Sequence, residues 1–130
     1  MNISLTRLAL VAGASLAGIA VAAGAFGAHG LKDRLAASGQ AENWETACRY
    51  AMVHALALLA VGLLAAIRPP APASLTVAAW FFFGGTLIFS GCLAALALSG
   101  IKILGAIVPI GGALMIAGWV LFALAGWRHG

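Results

Sequence analysis

Thr46, Tyr50 and His54 recur at every fourth residue, so on a helix they form one stripe along one face. The residues that follow, to Gly62, are chiefly Ala, Leu and Val. His54 lies nine residues beyond Glu45, roughly 13 Å along a helix from the polar loop that precedes it. His29 closes a second apolar run, Gly24-Ala25-Phe26-Gly27-Ala28-His29-Gly30. Both histidines therefore sit inside or at the edge of apolar segments with no evident charge partner. An ionisable group in that setting is a site hypothesis, for a proton, an ion or a polar headgroup. The same residue also suits a fastening role, because a neutral imidazole donates one hydrogen bond and accepts another. Further along, Thr86 and Ser90 share a different helix face and can bond their own i−4 carbonyls. The candidate polar site is His29, Thr46, Tyr50, His54 and Ser90.

Metal chemistry is not expected. Two histidines are too few ligands, and Cys48 points about 240° around the helix from His54, six residues on. Cys48 and Cys92 make no ligand spacing and no disulfide framework. Enzyme signatures are missing too: there is no G-x-S-x-G, H-E-x-x-H, C-x-x-C or phosphate loop, and no acidic residue within an apolar run. The reading is a protein that is not an enzyme and needs no cofactor.

The positioning elements follow from composition. Of 130 residues, 64% are hydrophobic and 8% are charged, and the mean hydropathy is +1.10. Soluble domains carry about 25% charged residues. A lipid bilayer must supply the missing solvent. The seven Lys and Arg are scattered, without a basic patch or interleaved aromatics, which excludes a nucleic-acid partner.

Four spans are predicted, over about 8–29, 45–67, 75–98 and 103–127, in one membrane domain. The first could instead be read as a signal peptide with an Ala20-Val21-Ala22 cleavage site, but the apolar run continues well past it. Small residues recur at i+4 as Ala14/Gly18/Ala22, Ala20/Gly24/Ala28 and Gly91/Ala95/Ser99, rows that allow close helix packing. Between the first two spans, Leu31 to Ala37 reads as a short amphipathic interfacial helix with Leu31 and Leu35 on the lipid side, stopped at Ser38-Gly39. Asn43 reads as the next N-cap and Trp44 as an aromatic-belt residue. Glu45 and Arg49 suit an i,i+4 ion pair. Arg68-Pro69-Pro70-Ala71-Pro72 breaks the second span. Pro109, followed by Gly111-Gly112, should kink or break the fourth.

The fold class is all-α: an integral membrane four-helix bundle, up-down-up-down, with an interfacial helix between the first two spans. Both termini lie on one side with Arg7, Arg68 and Arg128, against Lys32, Arg34, Lys102 and Arg49 opposite. The positive-inside count is nearly tied, and N-in, C-in is chosen because the acidic, longer loop resembles an exported one.

The segment Gly24-Ala25-Phe26-Gly27-Ala28-His29-Gly30-Leu31 and the pattern Trp44-x-x-Ala47-x-x-Tyr50-x-x-x-His54-Ala55-Leu56-Ala57-Leu58 resemble a family of small membrane proteins. That family is domain of unknown function four-two-three, which includes eukaryotic transmembrane protein 256. Phe89-Ser90-Gly91, Pro109-Ile110-Gly111-Gly112 and Gly118-Trp119 are similar to its third and fourth spans. The resemblance implies a four-helix, predominantly bacterial inner-membrane protein with no assigned activity. It implies recurrent positions at His29, Trp44, Tyr50, His54, Ser90, Pro109 and Trp119, and structural roles for Gly24, Gly27, Gly91, Gly111 and Gly112. Where members often carry Ser and Tyr after Phe-Ser-Gly, this chain has Cys92 and Ala94, which leaves room beside the third helix. The expected function is structural or accessory, through self-association or docking on a larger membrane complex. The alternative is a binding or transport role for a proton, lipid headgroup or small ligand at His29, Tyr50 and His54.

Overall fold

A computed structural model of the chain describes residues 4–129. Met1 to Ile3, at the start of the polar segment before Arg7, and Gly130 lie outside the described residues, as does the side chain of His129. Five helices follow one another: α1 (Leu5–Ala28), α2 (Lys32–Ser38), α3 (Ala41–Ile67), α4 (Ala73–Ser99) and α5 (Ile103–His129). All but α2 are long and apolar enough to cross a membrane. Without water in the hydrocarbon core, a spanning segment must satisfy its backbone internally, and an uninterrupted helix does so.

The spanning helices stand in sequence order. α1 packs on α3, α3 on α4 and α4 on α5, while α1 makes only a light contact with α4. Neighbours run antiparallel. Gly13 of α1 lies against Ala55 and Leu59 of α3, Gly27 against Trp44, and Gly62 against Leu10. The same reversal holds between α4 and α5, where Gly85 meets Gly111 and Met115, and Gly118 meets Phe82. This is the up-down-up-down bundle expected from the short connections. At these glycines the backbones nearly touch: a β-carbon on Gly13 would sit 2.8 Å from Ala55 O, and one on Gly85 2.9 Å from Gly111 O. Lipid tails are as apolar as leucine, so close packing of this kind, rather than escape from water, holds such helices together. Phe82, Leu58, Leu75 and Val61 fill the centre.

The loop between α1 and α3 departs from expectation in three ways. α2 forms and ends on Gly39, whose φ of 69° is the left-handed conformation expected there. But Leu35 does not face lipid. It is 2% exposed, packed with Trp44 and Ala97, and Leu31 packs partly beside it. Arg34 Nη2 donates to Leu98 O at 2.8 Å, closing the C-terminal end of α4 where a cation is favoured. Trp44 is buried rather than interfacial; its Nε1 donates to Ala23 O at 2.9 Å and its ring fills the space that Gly27 leaves open. Asn43 is not the N-cap, since α3 begins at Ala41, and its Nδ2 donates to Gln40 Oε1 at 2.8 Å. For Leu35 and Arg34 the cause is that α2 has protein to lie on, at Trp44 of α3 and at Ala97 and Leu98 of α4; for Trp44 it is the close approach of α1 at Ala23 and Gly27.

The Glu45–Arg49 pair forms at 3.4 Å with both side chains exposed. Of the kink or break expected at Pro109, the break does not occur: α5 runs through Pro109 as one helix. Proline there removes a single ladder bond, in the second turn, and the following helix is held by the close approach of Gly111 to α4.

Candidate functional site

His54 is 3% exposed and fully engaged. Its position on α3 directs the ring toward α4 and α5, among Tyr50 (centroids 6.2 Å apart, nearly parallel), Phe82 (5.7 Å) and Trp119 (5.9 Å). Nδ1 lies 2.8 Å from Tyr50 O, the carbonyl one turn earlier. Trp119 Nε1 lies 3.1 Å from His54 Nε2. An indole nitrogen only donates, so Nε2 must be the acceptor and the ring's proton must be on Nδ1, where it is donated to Tyr50 O. Both ring nitrogens are thereby used, and the imidazole is held neutral in one tautomer. Phe82 and Trp119 stack edge-to-face at 4.8 Å beneath it, and Phe122 completes the cluster.

The other residues of the candidate site lie elsewhere. His29 caps the end of α1 and is exposed. Gly27 is level with Trp44, so His29 stands at least ten residues of α3 above His54, about 15 Å along the helix. The two histidines do not converge. Tyr50 is 41% exposed and its ring rests on Phe89 of α4, 4.7 Å away. Thr46, one turn earlier, is half-buried. Ser90 is buried on a different side of α4, in a cleft against α1 and α3 that Tyr50 and His54 do not line. Thr86 Oγ1 donates to Phe82 O at 2.6 Å, one turn back, with Met115 Sδ at 3.9 Å. Ser90, one turn on, makes no such bond: its buried Oγ has no partner among the described residues.

Trp119 was identified only as a structural position, yet it is the partner of His54. A signal existed. His54 stands thirteen residues before the end of α3 and Trp119 ten before the end of α5, and both ends lie on the same membrane side, so the two share a depth. Among the described residues no three His, Cys, Asp or Glu side chains gather as a metal site would require. Trp44, Gly27 and Gly111 are packed between helices, Trp119 is 40% exposed although its Nε1 reaches His54, Gly24 and Gly91 have open space where a side chain would project, and Pro109 is exposed.

Residues 23–112 match the family described as "Protein of unknown function (DUF423)". The chain is similar to the "UPF0382 membrane protein" of Staphylococcus epidermidis, 43% identical over 119 residues, covering 92% of this chain and 94% of the relative. It is also similar to the "UPF0382 membrane protein YwdK" of Bacillus subtilis, 38% identical over 123 residues, covering 95% and 98% respectively. No solved structure matches the chain. With four spanning helices, bacterial relatives named as membrane proteins and the motifs around His29 and His54 in place, the chain is a multi-pass membrane protein and belongs to the DUF423 family.

Proposed function

We propose that this protein is a structural or accessory component of its membrane, without a catalytic step of its own, that works by helix contact with a second copy or with a larger complex. One observation carries this reading. On α1, Gly13 is consumed by packing on α3, but the row Ala14, Gly18 and Ala22 is exposed along its whole length, and a β-carbon on Gly18 would meet nothing within 4 Å. Val11, Ile19 and Val21 flank that row and are each more than 60% exposed. Small residues every fourth position between β-branched ridges form a surface on which another helix backbone can lie closely, and lipid fills such a groove poorly. The internal bonding of His54 supports the same view, because it leaves that residue no free nitrogen for a ligand or a proton.

The test is the oligomeric state of the full-length protein in lipid nanodiscs and in native membranes. Dimers or larger species are expected, with Gly18→Ile returning the protein to a monomer at unchanged helix content. A strictly monomeric protein, with no partner captured by crosslinking in native membranes, would remove the basis of this reading.

A further inference from the structure

Ser90 raises a separate question. It is 8% exposed on α4, about 14 Å from the helix end at Ser99 and thus inside the ~30 Å hydrocarbon core, yet its hydroxyl is bonded to nothing among the described residues. A buried polar group without a partner is rare and calls for one. The cleft that Ser90 lines lies between α1, α3 and α4 and measures about 220 Å³. An apolar cavity of about 150 Å³ accepts a benzene ring, so this one has room for a ring somewhat larger. Its walls include the small side chains of Ala20, Ala23, Ala47 and Ala51, together with Trp44.

Three observations narrow the occupant. No charged side chain lines the cleft, which excludes an anionic headgroup. A water molecule needs two to four polar partners, and the other polar side chains at the wall are the Cys48 thiol, Thr86, whose hydroxyl is already committed to Phe82 O, and Trp44, whose Nε1 is committed to Ala23 O. A furrow of about 620 Å³ between α1 and α4 borders the cleft, sharing Leu16, Ile19 and Leu87 with it; its lining is apolar apart from Ser15 and Arg7. A hydroxyl that can donate, a ring-sized apolar chamber and a bordering furrow fit a neutral ring with a hydrogen-bond acceptor and an apolar tail.

We propose that the α1/α3/α4 cleft binds the flat ring of a neutral carbonyl compound dissolved in the membrane, the class that includes isoprenoid quinones, with Ser90 Oγ–H donating to a ring carbonyl and the tail lying in the α1–α4 furrow. The ring site lies apart from the row Ala14, Gly18 and Ala22, which lines neither cavity, although Val11 and Ile19 border both that row and the furrow.

The experiment compares menadione, a ring with two carbonyls, with methylnaphthalene, the same kind of ring without them. Each is equilibrated with full-length protein in phosphatidylcholine nanodiscs and with empty nanodiscs. The expected result is saturable excess binding of menadione to the protein-loaded discs, and methylnaphthalene weaker by roughly tenfold, the worth of one hydrogen bond. Ser90→Ala should bring menadione down to the methylnaphthalene level, and Ala94→Phe, which fills the cleft, should abolish the binding of both. Equal affinity for the two rings would show a slot for any apolar chain, lipid tails included, and would overturn the proposal. So would unchanged menadione binding by Ser90→Ala, or no saturable binding at all. If either variant fails to fold by circular dichroism and gel filtration, the wild-type comparison of the two rings still decides.

Discussion

Trp119 Nε1 donates to His54 Nε2 at 3.1 Å, and that bond ties α3 to α5, two helices with no extensive packing of their own. It turns an intramembrane histidine, from sequence a candidate proton or ion site, into a crosspiece. Protonating His54 would place a second donor against the indole N–H, so the bond and the charged imidazole exclude each other.

Trp119→Phe keeps an aromatic ring but leaves His54 Nε2 unpaired. It should destabilise the protein by about 1 kcal/mol, the scale of interhelical hydrogen bonds in membranes. Unfolding in mixed micelles, followed by circular dichroism, measures it. In a double-mutant cycle with His54→Leu the two effects should be non-additive by a similar amount. Strict additivity would mean that the bond contributes nothing.

Glycines on α4 and α5 should respond unequally to an added methyl group. A β-carbon on Gly111 would collide with the backbone of Phe89 and come 2.7 Å from Gly85 O, whereas one on Gly84 meets open space. Gly111→Ala should lose about 1–3 kcal/mol, and Gly84→Ala should stay within about 0.5 kcal/mol of wild type. Equal responses in the same unfolding assay would place the α4–α5 contact elsewhere.

Leu35→Ala tests whether α2 is docked on protein. Removing that buried side chain should loosen α2 by about 2 kcal/mol and speed trypsin cleavage after Lys32 and Arg34 severalfold in nanodiscs. Cleavage at the wild-type rate would describe a helix that floats on lipid.

Orientation can be read by single-cysteine labelling in a Cys48→Ser, Cys92→Ser background. A cysteine at Ser38 should react with an impermeant maleimide from outside intact cells, and one at Ala71 only after lysis, giving N-in, C-in. The reverse pattern would invert the topology and show that the acidic loop does not decide it.

The long helices were legible because the bilayer leaves few alternatives for apolar runs of this length. Their rotation was not. α1 carries small residues on several faces, and nothing in its composition distinguishes Gly13, which meets α3, from Gly18, which meets no protein. In a soluble helix the apolar stripe marks the inward face, but here lipid is as apolar as the core, so that signal vanishes. The same ambiguity misplaced Leu35 and Trp44: an amphipathic loop helix turns its leucines toward whatever apolar surface is present, and lipid and protein look alike from sequence. The stripe Thr46, Tyr50, His54 was visible, yet its members have different fates, buried at His54 and exposed at Tyr50. The bond to Trp119 spans 65 residues of chain and depends on how α5 packs over α4, which no local pattern encodes. Ser90 was visible as a hydroxyl able to bond its own helix; that it does not do so required the neighbours' placement.

The most extensive helix pairings join α1 to α3 and α4 to α5, and the α3–α4 contact is smaller. The molecule is therefore two helical hairpins laid side by side, joined through the Arg68–Pro72 strap. Each hairpin is locked from within by glycines whose backbones nearly touch, and such contacts tolerate no sliding. The seam between hairpins is different: aromatic rings, the His54–Trp119 bond and the Ser90 cleft lie along it. A shift of one hairpin against the other would leave both interiors intact, part His54 from Trp119 and change the width of that cleft in a single movement.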